Sequence, residues 1–295
     1  MEPMFGRLIT AMITPFTPDG ALDLDGAVAL ASWLVEQGND GLVLAGTTGE
    51  SPTLTHDEQI ALVEAVSGAV DCHVIAGAGS NDTAAAVELT RRCSAAGADA
   101  ILTVTPYYNR PSQLGLFNHF RSVAEATDLP VMLYDIPPRS GRKIHTDTIL
   151  RLADEVPNIV AVKDAAGDVA ETARLVAASP AGFEVYSGED SLTLALLAVG
   201  VVGVVSVASH WATPETVVMM EAFFSGDVAA ATEANRRLIP SWDFESGDLT
   251  PNPIPSKAMM KVLGMPGGDC RPPMGPEPAD LADRARLVLA GLGRA

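Results

Sequence analysis

A lysine at the end of an apolar segment is the residue of this sequence best suited to covalent chemistry. Lys163 directly follows the apolar run 159–162, whereas Lys143, Lys257 and Lys261 lie in polar or helical settings. Desolvation lowers the pKa of an amine and leaves it nucleophilic, as formation of a Schiff base requires. If run 159–162 is a strand, alternation of side chains puts Lys163 on the same face as Ile159 and Ala161, and if that face is inward the amine enters a buried site. The alternative is a strand-end lysine that extends its ammonium group into solvent.

Hydroxyl groups follow neighbouring apolar runs and are suited to proton transfer. Tyr134 ends the run before that of Lys163, and adjacent strands lie roughly 4.8 Å apart, so its phenol is within reach of an adduct on the lysine. Hydroxyl groups that hydrogen-bond to one another relay protons. Four more hydroxyl groups follow other runs, namely those of Thr47, Thr48, Tyr107 and Tyr108. For Tyr107 alone, a place in an aromatic belt around the rim is the alternative.

Two features are suited to binding carboxylates. The segment G-T-T-G-E at 46–50 offers backbone N–H groups and hydroxyl groups to a small anion. It lacks the lysine of a P-loop and the spacing of a dinucleotide-binding motif, so an ordinary glycine-rich turn is the alternative. Arg139 is a candidate for bidentate binding of a second carboxylate, with a solvated loop arginine as the alternative.

Charge and composition exclude several classes of function. The chain has 295 residues, of which 47% are hydrophobic and 19% charged, which is typical of a large buried core. Its net charge of -18 repels phosphate backbones and anionic lipid, so we expect neither a nucleic-acid nor a membrane partner. The five histidines show no metal-ligand spacing, and we expect neither a metal nor another cofactor.

The expected location is cytoplasmic. Three scattered cysteines without a C-x-x-C pair fit a reducing compartment, and the N-terminus lacks the features of a secretory signal. The apolar stretch 192–209 is nearly long enough to span a membrane. However, it changes from Leu/Ala-rich to Val-rich around Gly200 and Gly203. This change favours a short buried helix, a glycine break and a buried strand.

Apolar runs alternate with segments of helical period along the chain. We expect strands at 8–14, 41–45, 73–76, 100–105, 130–134, 159–163, 183–187 and 203–207. Their continuous hydrophobicity is typical of a parallel sheet covered on both faces. Thr55 begins a capping box that predicts a helix over 55–70, and Asp147 and Asp168 are expected caps of later helices.

Eight strand–helix units predict an α/β fold of the (β/α)8 TIM-barrel type with a C-terminal helical extension. We expect a catalytic barrel over 1–225 and a helical subdomain over 226–295, with helices at 227–239, 255–264 and 278–293. In such barrels the active site lies at the carboxyl ends of the strands, where the candidate residues collect.

Six motifs occur in an order that is highly specific as a set. They are G-T-T-G-E-S, T-P-Y-Y-N-R-P, Y-D-I-P-x-R-S-G, V-K-D-A-A-G-D, Y-S-G-E-D and N-P-I-P-S-K-A. The chain resembles the dihydrodipicolinate synthase and N-acetylneuraminate lyase superfamily over nearly its whole length, and most closely the dihydrodipicolinate synthases. That resemblance implies condensation of pyruvate with L-aspartate-4-semialdehyde in lysine and diaminopimelate biosynthesis.

The resemblance also implies roles for individual residues. Lys163 forms the Schiff base, and Tyr134, Thr47 and Tyr108 relay protons, with Tyr108 reaching into a neighbouring subunit. The implied substrate-binding residues are Thr48 for the pyruvate carboxylate, Arg139 for the aldehyde's carboxylate, and Gly188 and Val205 near the pyruvate. The family is commonly a homotetramer built as a dimer of dimers, so we expect the same here.

The resemblance further implies an allosteric pocket for lysine at the dimer interface. The matching residues are Ser51, His56, Gln59, Asn81, Ala85 and Tyr107. Lysine-sensitive relatives carry a glutamate at the position of Ala85, where it pairs with the ligand's ammonium groups. Alanine supplies no charge, so we expect feedback inhibition by lysine to be weak or absent.

Two other functions are compatible with the pattern. One is a related aldolase or lyase acting on a sugar-acid aldehyde, of the N-acetylneuraminate lyase or 2-keto-3-deoxygluconate aldolase type. Arg139 and the tandem Tyr107-Tyr108 argue against it, because sugar-acid enzymes usually differ there. The other is a non-catalytic protein that binds a keto acid, against which the complete set of lysine, tyrosine and threonine groups argues.

Overall fold

Eight parallel strands form a closed barrel in the computed structural model, which describes residues 2–294. The strands follow one another around the barrel in chain order: β1 (Leu8–Ala11), β2 (Gly41–Leu44), β3 (His73–Gly77), β4 (Ala100–Val104), β5 (Val131–Asp135), β6 (Ile159–Asp164), β7 (Glu184–Ser187) and β8 (Gly203–Ser206). Each overlaps one of the eight predicted runs. The predicted α/β barrel is therefore confirmed.

Helices connect the strands and continue beyond the last one. They are α1 (Leu24–Glu36), α2 (His56–Ser67), α3 (Thr83–Ala95), α4 (Gln113–Ala124), α5 (Pro137–Ser140), α6 (Thr146–Glu155), α7 (Val169–Ala178), α8 (Thr193–Leu197), α9 (Ser209–Phe224), α10 (Val228–Glu245), α11 (Ile254–Val262) and α12 (Leu281–Gly291). The last three correspond to the three predicted C-terminal helices. The division of the chain at residue 226 stays a prediction, and it falls in the turn between α9 and α10.

Apolar side chains of the strands divide into an inner and an outer layer. Ile9, Val43 and Met132 belong to the cluster that fills the barrel. Leu42 and Leu133, their neighbours along the strands, belong to the cluster between barrel and helices. Successive side chains of a strand point to opposite faces, so a strand buried on both faces is apolar at nearly every position. This explains the uninterrupted apolar runs of the sequence.

An irregularity between β5 and β6 sets the orientation of the catalytic candidate. Val131 pairs with Ile159, but the next residue, Met132, pairs with Ala161. Ile159 consequently packs in the outer cluster, whereas Ala161 lies in the inner one. The expected common face of Ile159 and Lys163 is thus wrong, while alternation from Ala161 places Lys163 at the barrel's inner side.

Helix starts match the sequence in two of three cases. Thr55 and Glu58 form the predicted capping box of α2, and Asp168 caps α7 through the amide of Glu171. Asp147 is not a cap, because His145 occupies that position and Asp147 lies in the first turn of α6. A carboxylate there still interacts favourably with the helix dipole.

The apolar stretch 192–209 folds as expected into α8, a turn and β8. Gly200 in that turn has φ +100°, a conformation that favours glycine over residues with a side chain. Within residues 2–294, no helix is long and apolar enough to cross a membrane.

Candidate active site at the barrel mouth

Lys163 and Tyr134 occupy paired positions on adjacent strands at the carboxyl end of the barrel. Tyr134 is directly paired with Lys163 across β5 and β6, and each residue is 5% exposed. The Lys163 Nζ lies over the Tyr134 ring, 4.3 Å from its centroid. The buried position that sequence reasoning required of a nucleophilic lysine is therefore present, and solvent snorkelling is excluded.

Gly188 makes room for the lysine side chain. A Cβ built on Gly188 meets the Cγ and Cε of Lys163 at 3.0 Å and the Cβ of Ala165 at 2.8 Å. The backbone N–H of Gly188 donates to the carbonyl oxygen of Asp164 at 2.8 Å, which holds the loop against β6. Val205 on β8 is 1% exposed and lies in the same inner cluster as Tyr134. The structure thus brings Gly188 against Lys163 and places Val205 among the residues that fill the barrel.

The turn after β2 lies beside Tyr134. Thr47, Ser51 and Tyr134 line one small cavity of about 30 Å³ at the mouth. The turn is tight, because the amide of Glu50 donates to the carbonyl oxygen of Thr47 at 3.1 Å and Glu50 has φ +57°. We call residues 46–51 the threonine turn. Two of its hydroxyl-bearing residues, Thr47 and Ser51, thus lie next to the tyrosine, as a proton relay requires.

Asn252 connects the threonine turn to the arginine candidate. Its Nδ2 donates to the hydroxyl of Thr48 at 2.9 Å, and both residues are buried. Its carbonyl oxygen accepts a long hydrogen bond of 3.5 Å from the Nη2 of Arg139, which lies exposed on α5. Two residues expected to bind different carboxylates are therefore linked through a C-terminal residue that sequence reasoning did not single out.

Tyr108 lies away from this group within its own chain. Its side chain is 89% exposed and its backbone has φ +72°, a left-handed conformation that non-glycine residues adopt rarely. Such a residue is held in place by its surroundings, and here Tyr108 donates its amide to the carbonyl oxygen of Ser140 at 3.3 Å. The single chain leaves the phenol of Tyr108 at the surface.

The residues of the expected lysine pocket lie in the segments that follow β2, β3 and β4. Gln59 is buried and donates to the carbonyl oxygen of Ser51 at 3.2 Å, so these two are in contact. His56 is exposed, and Ala85, Asn81 and Tyr107 are partly buried. Asn109, one residue after Tyr108, donates to the carbonyl oxygen of Asn81 at 2.8 Å. This contact joins the loop that carries Tyr107 and Tyr108 to the segment of Asn81.

A buried ion pair supports the threonine turn from the side of the C-terminal helices. The Nζ of Lys257 lies 2.6 Å from Oε1 of Glu50, and both side chains are 2% exposed. Burial lowers the pKa of Lys257, and the Glu50 carboxylate opposes that shift. Lys257 does lie in a helix, as expected, but the burial of its side chain was not predicted from the sequence. The available signal was a lysine followed directly by Ala258, Met259 and Met260.

Two acidic side chains meet behind the loops that follow β7 and β8. The Glu245 carboxyl lies against Asp190, whose Oδ2 accepts the amides of Val207 at 2.7 Å and Ala208 at 3.2 Å. Burial and the neighbouring Asp190 raise the pKa of Glu245 well above its ordinary value. Glu245 is therefore protonated under conditions that leave surface carboxyl groups charged.

Among residues 2–294, no three His, Cys, Asp or Glu side chains are grouped to hold a metal ion.

Fold and site together define a (β/α)8 barrel protein with a lysine, a tyrosine and a threonine turn at its mouth, the arrangement expected of a class I aldolase or lyase. The sequence pattern of the Dihydrodipicolinate synthetase family matches residues 4–289. The chain belongs to that family.

Similar proteins agree with this assignment. The chain is 52% identical to the 4-hydroxy-tetrahydrodipicolinate synthase of Moorella thermoacetica over 272 residues, 92% of each chain. A solved dihydrodipicolinate synthase from Cyanidioschyzon merolae with lysine bound superposes with a TM-score of 0.96 at 43% identity, covering 100% of both chains. A chloride-inhibited dihydrodipicolinate synthase from Acinetobacter baumannii in complex with pyruvate has a TM-score of 0.93 at 34% identity, covering 99% of this chain and 100% of that one.

Proposed function

We propose that the protein is a 4-hydroxy-tetrahydrodipicolinate synthase, which condenses pyruvate with L-aspartate-4-semialdehyde in lysine and diaminopimelate biosynthesis. The observation that carries the proposal is the pairing of buried Lys163 with Tyr134 beside the threonine turn. The full-length similarity to synthases of that activity supports the choice of substrates. The Acinetobacter relative in complex with pyruvate supports the first of them.

The lysine provides the covalent path. The Nζ of Lys163 attacks the keto carbon of pyruvate, and loss of water gives an imine. Loss of a methyl proton converts the imine into an enamine, whose carbon forms a bond to the aldehyde carbon of the second substrate. The amino group of that substrate then attacks the imine carbon, closes the ring and releases the lysine. Each step moves a proton, and Tyr134, Thr47 and Tyr108 form the proposed relay.

Carboxylates of the two substrates need separate partners. Thr48, with the amides of its turn, is the proposed partner of the pyruvate carboxylate, and Arg139 is that of the aldehyde substrate. Gly188 and Val205 form the wall next to the pyruvate. The contacts of Asn252 with Thr48 and with Arg139 support this division, because they place both groups next to one buried residue.

Tyr108 takes part only if a second copy of the chain supplies it. Its phenol is almost fully exposed, while its backbone is held in a left-handed conformation. A strained and exposed aromatic residue fits a contact between subunits. We therefore propose that Tyr108 completes the relay of a neighbouring copy, and, from the resemblance to the family, that the assembly is a homotetramer built as a dimer of dimers.

Two measurements test the function. Reduction with borohydride in the presence of pyruvate is expected to leave one covalent adduct per chain, mapped by peptide mass spectrometry to Lys163. Lys163→Ala is expected to abolish trapping and nearly all turnover, whereas the matched variant Lys261→Met, on the surface of α11, retains both. A coupled assay with several aldehydes is expected to show preference for aspartate semialdehyde. Preference for N-acetylmannosamine or glyceraldehyde would reject the substrate but retain the Schiff base.

A further inference from the structure

The ion pair between Lys257 and Glu50 joins two parts of the chain that are distant in sequence. Besides Glu50, the Nζ of Lys257 contacts the carbonyl oxygen of Asp269 at 3.0 Å and the ring of Phe16 at 4.0 Å from its centroid. These contacts surround the ammonium group with protein atoms. The charge of Lys257 is therefore directed at Glu50 and not at solvent.

Glu50 is held from a second side. Its Oε2 accepts the backbone N–H of Arg271 at 2.8 Å. The guanidinium of Arg271 in turn binds Glu58 on α2 at 2.6 Å and lies over Phe16, 4.2 Å from the ring centroid. One carboxylate thus receives a lysine and a backbone amide from the segment 257–271. The end of the threonine turn is fixed by that segment.

The same turn is also held at Thr48, by a residue that comes shortly before Lys257 in the chain. Asn252 donates to Thr48, two residues before Glu50. The turn packs closely against the chain between these points, since a Cβ at Gly49 would lie only 3.1 Å from the backbone of Ala45. The C-terminal segment consequently holds the amides and hydroxyl groups of residues 47 and 48 in one arrangement.

A buried pair of charges is a costly way to hold a turn. Desolvation of both groups offsets much of their attraction, and well-packed apolar residues often give equal stability. Removal of one partner, however, leaves an unpaired charge in the interior, which is strongly destabilising and is relieved when the group moves towards water or becomes neutral. Because Glu50 belongs to the threonine turn, such a movement would displace Thr47 and Thr48. The pair is therefore placed to act on the geometry of the site as well as on stability.

We propose that Lys257, acting through Glu50, is a positioning residue that sets the shape of the threonine turn and thereby the affinity for the carboxylate of the keto acid. This inference rests on the proposed function, because it takes the threonine turn as the place where pyruvate binds. Lys257 itself touches no reacting atom.

The test measures how much pyruvate is needed for half-maximal trapping of Lys163 by borohydride. Lys257→Met keeps most of the side chain's length and removes its charge. We expect the half-saturating concentration to rise by about 10-fold to 100-fold, the effect of losing one charge-assisted hydrogen bond to the carboxylate. The KM for the aldehyde is expected to stay within about 3-fold, since Arg139, outside the threonine turn, is the proposed partner of its carboxylate.

A double variant tests the route through Glu50. Glu50→Gln combined with Lys257→Met removes both charges, so no unpaired carboxylate remains buried. Its half-saturating pyruvate concentration is expected to fall below that of Lys257→Met alone. An equal or larger concentration would overturn the coupling. Lys261→Met, four residues further along the chain, is the control for loss of a lysine and is expected to trap pyruvate as the unmodified protein does.

Other outcomes are equally decisive. A merely structural role of Lys257 lowers Tm but leaves half-saturation unchanged, and that result would overturn the proposal. If Lys257→Met does not fold, Glu50→Gln removes the charge at the other end of the pair and is expected to raise half-saturation by about 10-fold. An unchanged value in that variant would likewise overturn the proposal. Absence of trapping in the unmodified protein would instead reject the proposed function.

Discussion

The amino group of Lys163 faces the ring of Tyr134, 4.3 Å from its centroid, from the position directly paired with it on the next strand. The ring and the hydroxyl group of Tyr134 therefore have separable tasks. The ring contacts the lysine, and the hydroxyl group is available for proton transfer.

Tyr134→Phe keeps the ring and removes only the hydroxyl group. We expect kcat to fall by about 10²-fold to 10⁴-fold, the usual contribution of a general acid or base. Trapping of pyruvate with borohydride is expected to persist, because the amine and its aromatic neighbour remain. Steady-state kinetics and trapping on the same preparation check this. Full turnover without the hydroxyl group would remove Tyr134 from the relay.

Arg139→Ala is expected to affect the two substrates differently. Losing a charge-assisted pair costs about 1.5–3 kcal/mol, or roughly one to two decades in kcat/KM for aspartate semialdehyde. Half-saturation of pyruvate trapping is expected to change little. The control is Arg174→Ala, an exposed arginine on α7. An equal loss for both substrates would show that Arg139 does not distinguish them.

Hybrid assemblies test the contribution of Tyr108 to a neighbouring subunit. Lys163→Ala and Tyr108→Phe are each expected to be nearly inactive alone. In a mixed pair, one site combines the intact lysine of one copy with the intact tyrosine of the other. Random pairing in equal amounts is expected to restore about a quarter of the sites. Hybrids no more active than their parents would place Tyr108 outside the neighbour's relay.

Lysine is expected to inhibit weakly, because Ala85 supplies no charge to its ammonium groups. Losing one partner of a buried charged pair costs about 2–5 kcal/mol, or roughly 30-fold to several thousand-fold in affinity. Asp82 does not replace it freely, since its carboxylate caps α3 through the amide of Ala84. A dose response in the coupled assay checks this, and Ala85→Glu is expected to increase sensitivity. Half-inhibition of the unmodified protein at submillimolar lysine would contradict the inference.

Glu245 gives the folding stability a distinctive pH dependence. Its pKa is raised in the folded state, so the folded protein binds more protons than the unfolded chain above pH 4.5. Its contribution to stability is complete below that pH and is lost as pH rises towards the folded-state pKa.

Glu245→Gln removes this titration and keeps a donor for Asp190. The variant is expected to gain stability relative to the unmodified protein as pH rises from 4 to 8, with Tm increasing by about 2–4 °C for each kcal/mol gained. Thermal unfolding at several pH values measures the difference. Glu64→Gln, an exposed residue of α2, is expected to show no such trend. A pH-independent difference for Glu245→Gln would contradict the raised pKa.

The fold was accessible from sequence because each strand is buried on both faces and therefore carries an unbroken apolar run. Lys163 was accessible because it interrupts such a run at the end where barrel sites lie. The side of the strand to which Ile159 points could not be predicted, since the irregular pairing of β5 and β6 depends on how two strands meet in space. No periodicity within one strand contains that information.

Contacts across long sequence separations were also inaccessible. The pairing of Lys257 with Glu50 joins positions more than two hundred residues apart, and Asn252 meets Thr48 over a similar separation. Each residue alone has an ordinary explanation as a helical lysine, a turn carboxylate or a loop amide. Only the closed barrel, with its C-terminal helices packed at the mouth, brings them together.

The missing side chain at Gly188 has a consequence for redesign. The hydrocarbon stem of Lys163 fills the space that a single methyl group would occupy there. Any larger residue at position 188 must displace the stem or open the loop after β7. Attempts to widen the enzyme towards bulkier keto acids therefore have no freedom on this side of the nucleophile. New volume has to be created elsewhere around the imine, so Gly188 limits where the pocket can be enlarged.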